Sequence, residues 1–395
     1  MINQQMHQLG AVRSGIRDLF EYGLRQAALV GKENVFDYSL GNPSIPAPKE
    51  VNESIVDIVT NENTLQVHGY TSAPGYDGVR QAVADDLNRR FGTKVRPQNL
   101  FFTCGAAPAL IAVLRALSVP GSEIMAIAPF FPEYRPFTES NGSKFVMVPP
   151  DMEQFQINFE ALEQLISPNT QAIIVNSPNN PSGVVYTRQT LEKLADLLTA
   201  KSAAYGHPIY LIADEPYREL VYGGIEVPFI PTIYPNTVVC YSWSKSLSLP
   251  GERIGYVYVP DEAADSADLY AAIAGASRAC GHVCPPSLLQ KVVARCVQLP
   301  PDLQAYDENR TLLYNELTAM GYDMAKPDGA FYLFIKAPNG DSDAFSELAK
   351  KKNLLVVPGT SFGCKEYFRI CYCVSNDMIR RSLPAFKELI DEINA

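Results

Sequence analysis

The chain has 395 residues, of which 47% are apolar and 19% charged. At about 150 residues per domain this suggests two to three domains, with ample chain for a large core. Lys and Arg number 33 against 43 Asp and Glu, a formal net charge of −10, which excludes a general nucleic-acid binder because that needs a positive footprint to displace phosphate counterions. A small basic pocket for an anion remains open, since net charge says nothing about local charge.

The first segment lacks the basic and apolar regions of an export signal. No stretch reaches the roughly 18 uninterrupted apolar residues of a spanning helix. These features predict a cytoplasmic protein with no membrane partner. Eight cysteines are too sparse for a disulfide framework. Neither the Cys280/Cys284 nor the Cys371/Cys373 spacing has a matching metal-ligand partner, so no metal is expected.

In chain order, a helical pattern over 14–30 comes first. A helix over 78–91 leads to a strand at 100–103 and a helix at 108–117. Apolar runs at 124–128, 145–148 and 172–175 read as strands. A helix over 189–204 precedes further strands at 209–213, 237–241 and 255–259. Strands alternating with helices predict an α/β fold with a mostly parallel sheet covered on both faces. The low polarity of these strands fits double coverage. The tail differs: a long helical run over about 287–320, a strand at 330–335, a short helix at 342–351, a strand at 367–373 and a closing helix over 376–393. That pattern predicts a smaller α+β domain, which the first residues of the chain join. The expected boundaries are 46–284 for the large domain, with 1–45 and 285–395 forming the small one.

The most informative stretch is Tyr241-Ser242-Trp243-Ser244-Lys245, followed by Arg253-Ile254-Gly255. Lys245 sits just beyond the carboxyl end of a strand, where open α/β sheets bind ligands. An amine in a dry site or near other cations has a lowered pKa and can form a Schiff base. Arg253 is a fixed cation suited to a phosphate. Taken alone, the stretch also fits a surface lysine in a serine-rich loop. Gly105-Ala106-Ala107 follows the 100–103 strand and opens a helix, so backbone N–H groups and the helix dipole can meet a phosphate there. Asp214 ends another strand, where an acid can pair with a protonated ring nitrogen or simply cap a helix. Asn176 to Gly183 is a rigid, amide-rich turn.

Together these segments resemble the class I/II aminotransferases, the fold type I pyridoxal 5′-phosphate (PLP) enzymes. The similarity runs from Leu40-Gly41-Asn42-Pro43, through Tyr70 to Gly75, Gly105, Asn180-Pro181-Ser182-Gly183, Asp214 to Tyr217, Ser242 to Lys245 and Arg253 to Gly255, and on to the strand holding Arg369. The motifs stand in the family's order, which is far more specific than any one of them.

The resemblance implies a fold type I architecture, with a seven-stranded, mostly parallel sheet between helices and a smaller α+β domain. It implies that Lys245 forms the internal aldimine with PLP and later acts as general acid and base. Asp214 is implied to pair with the pyridine nitrogen, while Tyr217 and Asn180 hydrogen-bond the 3′-oxygen. Gly105, the N–H groups of Ala106 and Ala107, the hydroxyls of Ser242 and Ser244, and Arg253 would hold the phosphate. Some members have Ser or Thr where this chain has alanines, so only the backbone contacts carry over. Phe131 would stack on the ring. Tyr70 would cross to the partner's site in a homodimer. Arg369, with Gly41 and Asn180 beside it, would hold the substrate carboxylate.

The implied activity is ping-pong transfer of an amino group between an L-amino acid and a 2-oxo acid, with aspartate and 2-oxoglutarate as the first pair. Arg13 and Arg17 are the candidate cations for a distal carboxylate. A C–S β-lyase, or an aminotransferase for alanine or aromatic amino acids, is the alternative.

Overall fold

The computed structural model describes residues 1–11 and 15–395. Seven strands form a central sheet in the spatial order 100–103, 255–258, 237–242, 210–214, 170–176, 123–127, 144–148. The 255–258 strand is antiparallel to both of its neighbours, and the remaining pairs are parallel. The low polarity of these strands has a direct packing cause. Along Thr237–Ser242, Val239 and Tyr241 enter the core on one face while Val238 and Cys240 enter the core on the other. Ile173 and Val175 face Ala172 and Ile174 across the sheet in the same way. Side chains alternate between faces, so a strand covered on both sides must be apolar throughout.

The helices Asp77–Phe91 and Arg188–Tyr205 cover the first face, and Ala106–Leu117 and Ser266–Ala279 the second. A separate layer forms a three-stranded antiparallel sheet in the order 357–358, 367–371, 332–336. Its closing helix Asn376–Asn394 is capped by Ser375, which accepts from Met378 N at 3.2 Å. This helix buries Ile379, Phe386, Leu389 and Ile390 against Tyr322, Phe345 and Phe368. Phe36–Asp37 pairs in parallel with Leu354–Leu355, which ties the start of the chain to its tail.

Two sequence readings change. The helical run over 287–320 is two helices, Ser287–Cys296 and Gln304–Met320. Pro300 and Pro301 lie in the break, where each fixes φ and lacks an N–H for the helix. The first of these helices also belongs with the large sheet by packing. Its Leu289, Val292, Val293 and Cys296 share a core with Val51, Ile58, Val83 and Leu87. The change of packing partner therefore falls in the 297–303 break, later than the expected boundary at 284. Among the described residues, no helix is long and apolar enough to cross a membrane.

Candidate active site

The parallel strands all point their carboxyl ends to one edge, and the loops leaving that edge converge. They line a cleft of about 300 Å³ between the large sheet and the small layer. Gly41, Ala106, Ala107, Phe131, Asn180, Asp214, Tyr217, Ser242, Ser244, Lys245, Arg253 and Arg369 all line it. These residues span more than 300 positions of sequence, and the sheet topology brings them together.

Lys245 lies three residues beyond the Thr237–Ser242 strand. Its Nζ donates to Gly41 O at 2.7 Å and sits 5.3 Å from the centre of the Phe331 ring. Burial lowers its pKa from 10.5 to about 8; Cys373 and Cys371 oppose the shift, and Arg253 and Arg369 reinforce it. A substantial share of this amine is therefore neutral and nucleophilic at mildly alkaline pH.

Asp214 ends its strand with its carboxylate buried. Oδ2 accepts from Tyr134 Oη at 2.5 Å, while Oδ1 is buried without a partner among the described residues. Burial raises its pKa from 3.8 to about 7, the Tyr134 hydrogen bond works against this, and Glu215 adds to it. A buried carboxylate oxygen left open is costly unless a donor fills it. A protonated ring nitrogen is such a donor.

Arg369 lies on the Tyr367–Cys371 strand and is buried. Its Nη1 donates to Asn180 Oδ1 at 3.0 Å, and its Nη2 to Ser39 O at 2.5 Å. Its Nε is buried and has no partner among the described residues. Asn180 N in turn donates to Asn176 Oδ1 at 2.7 Å. Asn176 Nδ2 donates to Asp214 O at 2.8 Å. One amide network thus connects the Asp214 backbone carbonyl at the end of its strand with the guanidinium of the small layer.

At the opposite end, Gly105 precedes the Ala106–Leu117 helix with φ of 96°. A Cβ there would come within 2.7 Å of Arg253 Nη2, so glycine serves both the left-handed backbone and the close approach. The first N–H groups of that helix have no intrahelical partners. Arg253 lies against Gly105, and Ser242 Oγ is 3.2 Å from Ser244 Oγ, so these donors and the helix start have the chemistry to meet an anion. Gly41 is packed as closely: a Cβ on it would collide with Tyr332 Oη.

Two of the sequence-predicted groups lie elsewhere. Tyr70 is 91% exposed on the single chain and lies outside its own cleft. Arg17 is exposed on the helix Gly15–Val30, and Arg13 falls outside the described residues. Sequence reading missed Tyr134, Asn176 and Tyr332. Tyr332 Oη lies 2.6 Å from Tyr217 Oη, and its ring is 4.8 Å from the Arg369 guanidinium. Tyr332 stands in a continuous apolar run whose residues are buried up to Ile335, so nothing in the pattern singles it out. Among the described residues, no group of three or more His, Cys, Asp or Glu is placed to hold a metal.

The unpartnered Asp214 Oδ1, the unpartnered Arg369 Nε, the lowered Lys245 amine and the Gly105–Arg253 cradle fit a phosphorylated pyridine aldehyde. The comparisons with known proteins agree. The family model for aminotransferase class I and II matches residues 33–386. A crystal structure of an aminotransferase from Eubacterium rectale is 54% identical, with each chain fully covered and a TM-score of 0.98. An aspartate aminotransferase from Thermus thermophilus, solved with maleate, is 26% identical over 98% of this chain and 99% of its own, with a TM-score of 0.87. An aromatic-amino-acid aminotransferase from Thermococcus litoralis is 28% identical over 96% of both chains. With the fold, the cleft and these likenesses in agreement, the chain belongs to the class I and II aminotransferases, enzymes that transfer amino groups with pyridoxal 5′-phosphate.

Proposed function

We propose that this enzyme moves an amino group from an L-α-amino acid to a 2-oxo acid in two half-reactions at the cleft around Lys245. The observation that carries this reading is that two buried groups without a partner among the described residues, Asp214 Oδ1 and Arg369 Nε, belong to residues that line one cleft with Lys245. PLP, when bound, supplies an electron sink for the bond that breaks at Cα. Asp214 holds the ring nitrogen protonated, and Tyr217 and Asn180 hydrogen-bond its phenolic oxygen. Ala106, Ala107, Ser242, Ser244 and Arg253 bind its phosphate, and Phe131 covers its ring. Arg369 fixes the substrate carboxylate by charge-assisted hydrogen bonds. That grip leaves the Cα–H bond as the one to break, and Lys245 Nζ takes and returns the proton. Tyr70, exposed on its own chain, reaches the phosphate of a second copy in a homodimer.

For the substrate pair we propose aspartate with 2-oxoglutarate, supported by the name of the Thermus thermophilus relative. One observation favours a second reading, an aromatic or other apolar donor. Among the described residues lining the cleft, the only cations are Lys245, Arg253 and Arg369, each of which has another task, and Ile16 and Leu40 lie beside them. The experiment supplies the PLP-loaded enzyme with one donor at a time and no acceptor. Transfer predicts one equivalent of 2-oxo acid per active site and no ammonia. Release of ammonia and a thiol from cystathionine would replace this reading with the lyase. The donor with the highest kcat/KM decides between aspartate and the aromatic amino acids.

A further inference from the structure

The hydroxyls of Tyr217 and Tyr332 meet at 2.6 Å, and both residues are buried. Either oxygen could donate, and the surroundings select the direction. Among the described residues, Tyr332 Oη has no hydrogen-bond partner other than Tyr217 Oη. Tyr217 lies in the loop after Asp214 and lines the same cleft as Asp214. If Tyr217 donated to Tyr332, its own hydroxyl would offer the cleft only an acceptor, and the Tyr332 proton would have no buried acceptor. If Tyr332 donates, both protons have a use. Donor chains of this kind also polarise one another, so the outer hydroxyl becomes the stronger donor.

The same side chain has a second contact. Its ring lies 4.8 Å from the Arg369 guanidinium, with Phe362 on the same cation at 5.1 Å. Its hydroxyl also occupies the space a Cβ of Gly41 would need. Tyr332 therefore touches the three segments that meet in the cleft: the loop after Asp214, the 367–371 strand and the Gly41 strap. We propose that Tyr332 is a positioning residue of this enzyme, whose hydroxyl aims the Tyr217 proton at the cofactor's phenolic oxygen and whose ring carries the carboxylate-binding guanidinium. The inference rests on reading the cleft as the PLP site. Asp214, Arg369 and Cys371 are the charged and titratable groups that face the pair, and Lys245 shares the cleft.

The two contacts separate experimentally. Tyr332→Phe removes the hydroxyl and keeps the ring. A weaker Tyr217 donor leaves more charge on the phenolic oxygen, which favours the protonated form of the lysine-bound cofactor. A pH titration of its visible absorption band should then move upward by about one unit, the scale of one hydrogen bond to a charged group, while KM for amino donors stays within twofold. Tyr332→Leu also removes the ring, and KM should rise roughly threefold to thirtyfold for every donor alike, the range of a buried cation–π contact. In a Tyr217→Phe background, Tyr332→Phe should shift the band no further. A wild-type enzyme without the band would overturn the cofactor site itself. A wild-type band whose midpoint does not move in Tyr332→Phe, or moves equally without the Tyr217 hydroxyl, would overturn the role of Tyr332 alone.

Discussion

Lys245 shows how one residue meets two demands that conflict in water. The amine must be neutral to attack an aldehyde, yet an ordinary lysine is charged until far above neutral pH. Burial resolves this by bringing its pKa from 10.5 to about 8. Below about 8 the folded amine holds its proton, and above it the neutral form dominates. Capture of PLP by the cofactor-free enzyme should therefore accelerate as pH rises and level off above about 8, as followed by stopped-flow absorbance. A plateau reached only near 10.5 would show that the amine is not desolvated. Arg369 illustrates the opposite case, a cation that must keep its charge. Its buried Nε has no partner among the described residues, so a carboxylate gains a hydrogen bond there without displacing a protein group. Arg369→Ala should lower kcat/KM for all α-amino donors alike by roughly 10- to 150-fold, the equivalent of about 1.5–3 kcal/mol for a hydrogen bond to a charged group. A loss confined to one donor would move the carboxylate site elsewhere.

Elements aim these residues, and the start of the Ala106–Leu117 helix is the clearest case. Gly105 has φ of 96° and lies against Arg253. Gly105→Ala should strain the backbone by about 1–3 kcal/mol and push Arg253 aside. PLP affinity should fall about tenfold or more, as read by equilibrium dialysis, while the fold as seen by circular dichroism is unchanged. Unaltered affinity would mean that the cradle does not hold the phosphate. Elements also show what sequence could and could not reveal. The central strands were legible because both faces of Thr237–Ser242 and its neighbours are buried, which leaves an apolar run bounded by turns. Lys245, Asp214, Asn180 and Arg253 were legible as motifs because each lies within a few residues of a strand end. Tyr134 and Tyr332 were not, because their roles depend on partners distant in sequence, such as Asp214 for Tyr134 and Tyr217 for Tyr332. The Ser266–Ala279 helix was missed for a different reason: its alanine-rich sequence buries Leu269, Ile273, Ala276 and Ser277 with little contrast between its two faces.

At the scale of the whole molecule, the cleft exists because the chain's two ends return to one place. Gly41 from the first segment and Arg369 from the tail face loops of the large sheet, and Lys245 Nζ is hydrogen-bonded to the first of these. The formal charge of −10 is thus compatible with a local concentration of Lys245, Arg253 and Arg369 for two small anions. The exposed Leu65, Tyr70 and Val283 suit a second copy of the chain. Sedimentation equilibrium should give about twice the 43.5 kDa of one chain, and a monomer with full activity would remove Tyr70 from the site. If Lys245 carries the cofactor for amino transfer, its amine is the group bonded to PLP in the resting enzyme. Reducing the PLP-loaded enzyme with borohydride fixes that bond, and mass spectrometry of the digested protein then maps the modified peptide. One pyridoxyl phosphate per chain is expected, on Lys245, and none when the enzyme is first converted by an amino donor. Modification of a different lysine, or none on the active enzyme, would contradict it.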